Sequence, residues 1–353
     1  MDEVNLDELA TKPNTWLDAS GPEADIVVST RARLARNAAG HRFSTKATHK
    51  DKAEIETLAS QKISELQDLN LHYVPLKEAP ATDKLFLVER HLISKEHANA
   101  DWPRGVAIAP ESGISVMVNE EDHLRIQVLR SGFRLGEAEE AVYRVEDAIA
   151  KVLPFCFRPQ FGYLTACPTN VGTGLRLSVL LHLPVLAMLN QIDQVFRVLS
   201  RLSYIVRGLY GEGTRASGDF YQISNHVTLG KSEQQTVAEM EKLIPQIVKF
   251  ERECRVKLIS ENRTRLEDRV WRAFGILSNA RAINSEETLE HLSAVRLGVN
   301  TGLIKRVPIG LVNDLFIATQ PGHLQKLQNR MLSPAERDAV RADLIRRKLA
   351  ECN

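Results

Sequence analysis

The chain has 353 residues, of which 43% are hydrophobic and 26% charged, and its formal net charge is +1. These values are ordinary for a soluble globular protein, and this length predicts one large domain with a smaller one. The near-zero net charge excludes a general electrostatic attraction, so neither nucleic acid nor a membrane is expected as a partner.

The cysteines and the N-terminus indicate the compartment. Cys156, Cys167, Cys254 and Cys352 form no CxxC pair and no zinc-type spacing with histidine, so no metal site is expected. The acidic start Met1–Asn5 lacks the apolar segment of a secretory signal, and no apolar run reaches the ~18 residues needed to cross a bilayer. The cytoplasm is therefore the expected location.

The first part of the chain is predicted to contain mainly strands. Residues 1–24 include two prolines and are expected to form an irregular arm. Apolar runs of strand length follow, and the close succession of the last four predicts neighbouring antiparallel strands. These runs are Ile26–Val28, Leu85–Val88, Val106–Ala109, Ile114–Val118 and Leu124–Val128.

A helix and further strand-like runs come next. Ala138, Val142, Val145, Ile149 and Val152 repeat at intervals of three and four, which predicts a helix with one apolar stripe. The later strand-like runs are Gly162–Ala166, Ser203–Arg207 and Phe220–Ser224.

After Ser232 the pattern becomes helical. A stripe from Val237 to Ile247 predicts a helix that Pro245 should kink or interrupt. Beyond about residue 255 only helical patterns and turns occur, including a capping box that begins at Ser333. We therefore predict an α+β fold, with a mixed domain over 25–253 and an all-helical domain over 254–353.

An acidic cluster, Asn119-Glu120-Glu121-Asp122-His123, follows the predicted strand Ile114–Val118. Two consecutive glutamates after a strand are commonly a solvated turn. The functional alternative is a carboxylate positioned as a general base.

Five arginines lie beside predicted strand ends and glycine-rich turns: Arg31, Arg33, Arg125, Arg176 and Arg207. Any one of them is more commonly a surface charge, but together they suit phosphate, because a planar guanidinium can bind two oxygens at once. The glycine turns match neither a P-loop nor a Rossmann fingerprint, and the HRDLxxxN loop is absent. A bound nucleotide would therefore be clamped by arginines, which suits phosphoryl transfer, where positioning and charge neutralisation dominate.

Cys167 ends another strand-like run, in Ala166-Cys167-Pro168-Thr169-Asn170. A cysteine at a strand end is commonly a small buried hydrophobic residue. A reactive thiolate near the arginines is the functional alternative.

Together these segments resemble the catalytic domain of the phosphagen kinases, or ATP:guanido phosphotransferases, such as creatine and arginine kinases. Asn119–Arg125 matches the family's NEEDHLR block, Cys167–Arg176 its CPTNxGTGLR block and Arg207–Glu212 its RGxxGE segment, in the right order. The resemblance implies a largely antiparallel sheet flanked by helices. It also implies ATP with Mg²⁺ as the phosphoryl donor and a guanidinium group as the acceptor.

Within the family, the sequence is most similar to the bacterial kinases that phosphorylate arginine side chains of proteins. The helical domain that precedes the catalytic domain in creatine and arginine kinases is expected to be missing, since the first predicted strand begins near residue 25. The segment Arg337-Asp338-Ala339-Val340-Arg341-Ala342 matches the RDxxRA motif through which this branch binds phosphoarginine allosterically. Without the resemblance, Arg337 and Arg341 on one helix face would be interpreted as a solvated surface.

The resemblance also implies roles for single residues. Glu121 would be the catalytic base, Glu212 would orient the guanidinium, and Cys167 would lie against the acceptor. Two positions depart from the family pattern, with Leu177 in place of alanine and Leu180 in place of methionine. The residues expected to contact ATP are Ser29, Thr30, Arg31, Ala32, Arg33, His91, Arg125, Arg176, Leu177, Ser178, Val179, Leu180, Arg207, Gly208, Leu209, Tyr210, Gly211 and Glu212.

The chemistry agrees with these roles. A guanidinium is protonated up to a pKa above about 12, and a protonated nitrogen cannot attack phosphorus, so carboxylates must hold the group and accept its proton. Two alternatives stay open. One is a kinase of free arginine or another guanidino metabolite, and the other is a non-catalytic adaptor that binds phosphoarginine.

The resemblance further implies partners. The expected ones are protein substrates with exposed arginines, the Clp protease machinery, a small zinc-binding activator, and a second copy of the chain in a homodimer formed through the C-terminal domain.

Overall fold

The computed structural model of the chain describes residues 5–208 and 217–352. Ten strands occur in this part of the chain: β1 Val27–Arg36, β2 His72–Pro75, β3 Gly105–Ala109, β4 Ile114–Val118, β5 Leu124–Ser131, β6 Phe157–Arg158, β7 Gly162–Tyr163, β8 Leu175–His182, β9 Tyr204–Gly208 and β10 Phe220–Asn225. Eight of them form one sheet in the order β2-β3-β4-β5-β1-β8-β10-β9, and neighbouring strands are antiparallel. Strands β6 and β7 pair separately.

Helices cover the sheet and build the C-terminal region. Their bounds are α1 Leu6–Thr11, α2 His49–Ser64, α3 Ala81–Glu89, α4 Lys95–Asn99, α5 Leu135–Ala150, α6 Pro184–Met188, α7 Ile192–Arg201, α8 Glu233–Asn279, α9 Ser285–Asn300, α10 Ile309–Ala318, α11 Pro321–Leu327 and α12 Pro334–Ala350. The predicted α+β architecture is therefore confirmed, with strands confined to the first 225 residues of the described chain.

The middle of the sheet has two different faces, because successive side chains of a strand point to opposite sides. On β1, Ala32 and Leu34 are fully buried and lie beside Val128 of β5 and Leu177 of β8. Helix α5 packs against β1 and β5 and buries the predicted apolar stripe, including Val142. The arginines of β1 are the alternate residues, so they lie on the other face.

Most predicted strands are confirmed, but Leu85–Val88 lies in helix α3. A short apolar run cannot be assigned to a strand or a helix from its periodicity alone. Here the run follows residues 81–84 in the same continuous helix. The run Gly162–Ala166 is a strand only at its first two residues. Strands β2, β6 and β8 have no counterpart among the predicted ones.

Residues 5–24 are not an irregular arm. The side chain of Asn5 accepts hydrogen bonds from the first turn of α1, and Leu6 and Leu9 are buried. Trp16 and Leu17 are buried in the main core, beside residues of the sheet. Apolar residues spaced along this polar segment therefore dock it against the fold despite its prolines.

Helix α8 begins at a capping box on Ser232 and continues through Pro245. Proline inside a helix costs about 3 kcal/mol, but Ile244, Ile247 and Val248 are buried, and each contributes about 1.5–3 kcal/mol. The backbone leaves helical geometry at Asn262 instead, with φ −146° and ψ 40°.

A buried arginine joins the helical region to the sheet. Arg296 of α9 has no exposed surface, and burial lowers its pKa to about 9, so it stays charged at neutral pH. It donates to Asn313 Oδ1 at 2.8 Å, to the carbonyls of Ala24 at 2.7 Å and Asp25 at 3.0 Å, and to His182 Nδ1 at 2.9 Å. A charge buried this deeply is tolerated only when it is hydrogen-bonded, so these contacts fix the helical region on the sheet.

Across residues 5–208 and 217–352, none of the helices combines the length and the apolar character needed to span a bilayer.

The buried ring of His323 predicts a loss of stability in acid. Burial, then the charge of Arg90, lowers the pKa of His323 to about 4, so the folded protein keeps the ring neutral while the unfolded chain binds a proton below about 6.5. The stabilisation is therefore present above pH 6.5 and is lost as the pH falls toward 4. His323→Gln retains a donor for the carbonyl of Ala10, so the wild type should lose about 2 kcal/mol more unfolding free energy than the variant between pH 7 and pH 5.

Urea unfolding at both pH values measures this difference. His49→Gln, at an exposed position, is the matched control and should keep the wild-type pH dependence. Equal losses in the wild type and in His323→Gln would contradict the interpretation.

Candidate active site

Five arginines lie on one side of the sheet, which we call the arginine face: Arg31, Arg33, Arg125, Arg176 and Arg207. The strand register explains the grouping. Arg33 of β1 pairs with Arg176 of β8 and with Gln127 of β5, and Arg125 is two residues from Gln127. Arg207 of β9 pairs with Gln222 of β10.

A cavity of about 530 Å³ opens on this face. It is lined by Arg33, Ser94, Glu96, His97, Trp102, Glu120, Glu121, Arg125, Thr169, Asn170, Arg176 and Arg207. A second, much smaller hollow is lined by Trp16, Ser29, Arg31, His91, Leu129, Ser178, Leu180 and Gln222. Half of the residues that the sequence motifs assign to one site therefore line these two hollows: Arg33, Glu121, Arg125, Arg176 and Arg207 the cavity, and Ser29, Arg31, His91, Ser178 and Leu180 the smaller one.

The arginine face is electrostatically crowded. Burial and then the charges of Arg176, Arg125 and Arg207 lower the pKa of Arg31 to about 10. Burial and neighbouring guanidinium groups also lower the pKa of Arg33 well below its ordinary value. Arg31 donates to the neutral Gln222 Oε1 at 3.1 Å, and its Nε has no acceptor in the described part of the chain. An anion with several oxygens would relieve this repulsion, so the face suits a polyphosphate.

The acidic cluster forms a tight turn between β4 and β5. Asn119 has φ +60°, a left-handed conformation that asparagine adopts more readily than most residues, and its side chain donates to the carbonyls of Lys52 and Pro103. The two glutamates that follow are therefore placed at the rim of the cavity rather than in a solvated turn.

The structure distinguishes the two glutamates. The Glu120 side chain is 4% exposed, whereas that of Glu121 is 43% exposed. Arg125 contacts both, with Nη1 2.6 Å from Glu120 Oε2 and Nη2 2.6 Å from Glu121 Oε2, and Asn170 Nδ2 donates to the same Glu121 oxygen at 3.2 Å. Glu121 is thus the more accessible of the two carboxylates, and its role as the base stays a prediction.

Glu120 remains ionised and positions Arg125. Burial alone would raise its pKa, but Arg125, the hydroxyl of Ser94 at 2.6 Å, the backbone N–H of Glu121 and the charge of Arg33 together lower it. The sequence motif did not separate this buried partner from the accessible one.

Asp122 and His123 connect the turn to neighbouring loops. Asp122 Oδ1 accepts from Asn37 Nδ2 at 2.7 Å and from the backbone N–H of Ala166 at 2.6 Å. His123 Nδ1 accepts from the backbone N–H of Ala38, so its Nε2 donates to the carbonyl of Arg42. Both side chains are structural supports that the sequence left without a role.

The loop before β8 carries Cys167 and Asn170. Thr228 Oγ1 donates to two of its carbonyls, and a Cβ on Gly172 would lie 2.1 Å from the Thr228 carbonyl oxygen, so only glycine fits there. Cys167 is half-buried, with Sγ 3.0 Å from Thr169 Oγ1. The loop therefore delivers Asn170 to Glu121, and Cys167 begins the short helical turn that carries Asn170.

Four residues predicted to contact ATP have side chains on the face of the sheet opposite the cavity. The side chains of Thr30, Ala32, Leu177 and Val179 are fully buried in the core side of the sheet, because strand alternation divides the consecutive segments that the motifs contain. Their side chains support the arginine face from behind and cannot line the cavity. The departure at Leu177 from the family pattern therefore lies in the core.

The remaining predicted nucleotide residues divide between the two hollows or fall outside the described chain. Ser29, Ser178, Leu180 and His91 line the small hollow. Gly208 ends β9, and Leu209, Tyr210, Gly211 and Glu212 lie outside the described residues.

The RDxxRA segment lies in the first half of α12. Arg341 is 1% exposed, and it donates to the carbonyls of Thr319 and Ile283 at 2.8 Å and to Asp338 Oδ1 at 2.6 Å. Arg337 and Asp338 are partly exposed, Ala339 is exposed, Val340 is half-buried and Ala342 is buried. The pattern of a solvated arginine surface is therefore wrong for Arg341, whose guanidinium is a structural link.

Within the described chain, no three His, Cys, Asp or Glu side chains are grouped so that they could hold a metal ion. Mg²⁺ usually keeps several waters and binds through substrate phosphates rather than in an all-protein cage. The residues present therefore fit Mg²⁺ only as a companion of a bound nucleotide.

The bond between Asp122 and Ala166 yields a direct structural prediction. Asp122→Ala leaves the Ala166 N–H without its acceptor, so the loop before β8 should open more readily. Hydrogen exchange of the Ala166 amide should become about tenfold faster or more.

Exchange measured by NMR or mass spectrometry tests this expectation. Asp147→Ala, at an exposed position on α5, should leave the rate unchanged. Unaltered exchange at Ala166 in the Asp122 variant would show that other contacts fix the loop.

Comparison with known proteins follows the same division of the chain. Residues 54–254 match the family model described as ATP:guanido phosphotransferase, C-terminal catalytic domain, and residues 263–353 match that of the protein-arginine kinase McsB C-terminal domain.

Similar structures include lombricine kinase, with a TM-score of 0.59, 28% identity and coverage of 71% of both chains. They also include the duplicated taurocyamine kinase of Schistosoma mansoni with bound transition state analog components. Its TM-score is 0.61, with 30% identity and coverage of 69% of this chain and 35% of that chain.

Curated relatives match over nearly the whole length. The protein-arginine kinase of Halothermothrix orenii is 43% identical over 347 residues, covering 98% of this chain and 99% of the relative. That of Bacillus subtilis is 43% identical over 339 residues, covering 95% and 93%. The chain therefore belongs to the protein-arginine kinase family of ATP:guanido phosphotransferases.

Proposed function

We propose that this chain transfers the γ-phosphoryl group of ATP to the guanidinium of arginine side chains in proteins. The observation that carries the proposal is the arginine face, which ends at the accessible carboxylate of Glu121. Phosphoryl donor and guanidinium acceptor need opposite charges side by side, and the cavity offers both.

The donor would lie along the arginine face. Arg33, Arg125, Arg176 and Arg207 line the cavity and would contact the phosphates, while His91 and Leu180 in the smaller hollow suit the base end. Mg²⁺ bound with the nucleotide would supply further neutralisation of the phosphate oxygens. The arginines would hold the γ-phosphorus in line with the incoming nitrogen, which is the main requirement of a loose transition state.

The acceptor would lie against Glu121. Arg125 and Asn170 both contact Glu121 Oε2 and so orient the carboxylate, which would take one proton from the guanidinium as its nitrogen attacks. Glu212 is proposed as the second carboxylate on the guanidinium. Cys167 is proposed to lie near the acceptor on the evidence of the family motif.

The two family matches suggest different roles for the two parts of the chain. We assign catalysis to residues 25–253 and regulation to 254–353. Arg337 and Asp338 of the RDxxRA segment are partly exposed and would contact the phosphoarginine, whereas the buried Arg341 would position the segment.

The cellular setting is proposed from the family. The kinase would act in the cytoplasm and mark proteins for a Clp protease, with a small zinc-binding activator. It would form a homodimer through the C-terminal helices.

Glu121→Gln tests the base. The amide keeps the size of the side chain but cannot accept the proton, so kcat should fall by about 10²–10⁴-fold while the Kd for ATP changes little. Arginine phosphorylation of a basic protein substrate is measured by mass spectrometry, and the Kd for ATP by calorimetry.

The matched control is Glu140→Gln, an exposed glutamate on α5, which should behave as wild type. Label found only on serine, threonine or tyrosine would refute the acceptor. Wild-type turnover in Glu121→Gln would remove that residue from the mechanism.

The two arginines of the RDxxRA segment should behave differently when replaced. Arg341→Ala leaves the buried carbonyls of Thr319 and Ile283 without donors and should lower the unfolding free energy by about 2–4 kcal/mol. Arg337→Ala should leave thermal stability nearly unchanged but abolish the response to free phosphoarginine.

Thermal unfolding and phosphoarginine titration of both variants separate the two roles. If Arg341→Ala were as stable as wild type, its assignment as a structural link would be wrong. A normal phosphoarginine response in Arg337→Ala would place the regulatory contact elsewhere.

A further inference from the structure

Glu89 is a buried carboxylate for which the proposed catalytic steps have no use. It is the last residue of α3 and is 5% exposed. Its Oε1 accepts the N–H of Gly322 at 2.8 Å, and its Oε2 accepts the N–H of His323 at 2.7 Å. These donors belong to the first turn of α11, whose N–H groups have no acceptor within the helix, so Glu89 caps α11 from another part of the chain.

The contact is close on both sides. A Cβ on Gly322 would lie 2.8 Å from the backbone nitrogen of Phe86 and 2.9 Å from Glu89 Oε2. Helix α11 therefore approaches α3 to a distance that only glycine allows. Burial raises the pKa of Glu89 to about 7, although the two N–H donors and the charge of Arg341 lower it.

The turn that carries Glu89 also carries His91, which lines the hollow with Ser29 and Arg31. His91 has φ +58°, an uncommon conformation for a residue with a side chain, and such a conformation persists only where neighbouring contacts determine it. Its carbonyl accepts from Gln127 Nε2 at 2.6 Å, and its ring lies edge-on to Trp16 with centroids 5.2 Å apart. Glu89 and His91 are therefore two residues apart in one turn, between α11 on one side and the small hollow on the other.

The same segment of the chain contacts the RDxxRA segment. Arg341 Nε donates at 2.8 Å to the carbonyl of Thr319, two residues before α11 begins. Arg341 and Glu89 thus both contact the segment 319–323. A shift of α12 that moved this segment would change the hydrogen bonds of the Glu89 carboxylate.

We propose that Glu89 is a positioning residue that couples the Arg337–Arg341 segment to the nucleotide end of the active site by holding α11 against the turn that carries His91. The inference rests on the proposed function for the two ends, the nucleotide site and the phosphoarginine contact. The link itself consists of described contacts only, from α12 through Thr319 and α11 to α3.

Glu89→Gln is the first test. Glutamine has one acceptor oxygen where two N–H groups need one each, so α11 should loosen from α3 and His91 should lose its defined position. We expect the KM for ATP to rise about tenfold with kcat within about twofold, and the response to free phosphoarginine to disappear. The measurements are initial rates on one protein substrate at varied ATP, with and without phosphoarginine.

Gly322→Ala disturbs the same contact between α3 and α11 without changing Glu89. It keeps the carboxylate but pushes α11 away from Phe86, so it should raise the KM for ATP in the same way. Circular dichroism and thermal unfolding establish that each variant is folded. If Glu89→Gln did not fold, Gly322→Ala and the conservative Glu89→Asp, with its shorter reach, would carry the test, and both should raise the KM.

Glu78→Gln is the matched control, because its side chain is 88% exposed in the loop before α3, and it should match wild type in every measurement. A folded Glu89 or Gly322 variant with an unchanged KM for ATP would overturn the coupling, as would a fall in kcat alone. Failure of the proposed function is distinguishable, since it would appear as absent arginine phosphorylation in the wild type.

Discussion

The guanidinium groups on one side of the sheet repel one another, and the rest of the structure must offset this repulsion. Arg31 and Arg33 are half-buried beside three further arginines, and burial with neighbouring charge lowers the pKa of both. The opposite side of the same strands offsets this cost with fully buried aliphatic residues, each contributing about 1.5–3 kcal/mol. The sheet can therefore keep an array of cations assembled before any anion arrives, which is the electrostatic preorganisation that phosphoryl transfer requires.

The acidic end of the cavity is built on a different principle, in which hydrogen bonds between buried polar side chains set the positions. Asn119 turns the backbone, Glu120 holds Arg125, and Asp122 ties the turn to the loop that carries Asn170. Each of these side chains serves to orient Glu121, which alone of the two glutamates is exposed. The accessible carboxylate of Glu121 is thus supported by buried polar side chains that hydrogen-bond to one another and to neighbouring loops.

The sequence predicted the class of the fold and most strands of the central sheet, because alternation and apolar runs are local properties. It also grouped the five arginines that lie on one face, although all five lie within strands and not in the turns beside strand ends, because β1 and β8 are longer than the apolar runs indicated. It could not predict which of Glu120 and Glu121 is buried, since that depends on the contacts of Glu120 with Ser94 and Arg125 in the folded chain. Consecutive motif residues were taken as one contact surface, yet strand alternation turns Ala32 and Leu177 to the core. Leu85–Val88 has the composition of a strand but lies in a helix. The burial of Arg341 could not be predicted from its own segment, because its acceptors, the carbonyls of Thr319 and Ile283, are distant in sequence.

The long helix α8 and the buried Arg296 have a consequence for how such a protein can evolve. One continuous apolar core contains residues of β1, β8, α8 and α9, and Arg296 donates to two carbonyls just ahead of the first strand. A chain ending near residue 253 would stop inside α8 and leave those groups without their donor. The C-terminal helices could therefore not be removed from this chain without changes in the residues of the sheet region that contact them. Curated relatives that match this chain over 99% and 93% of their own length contain both parts together.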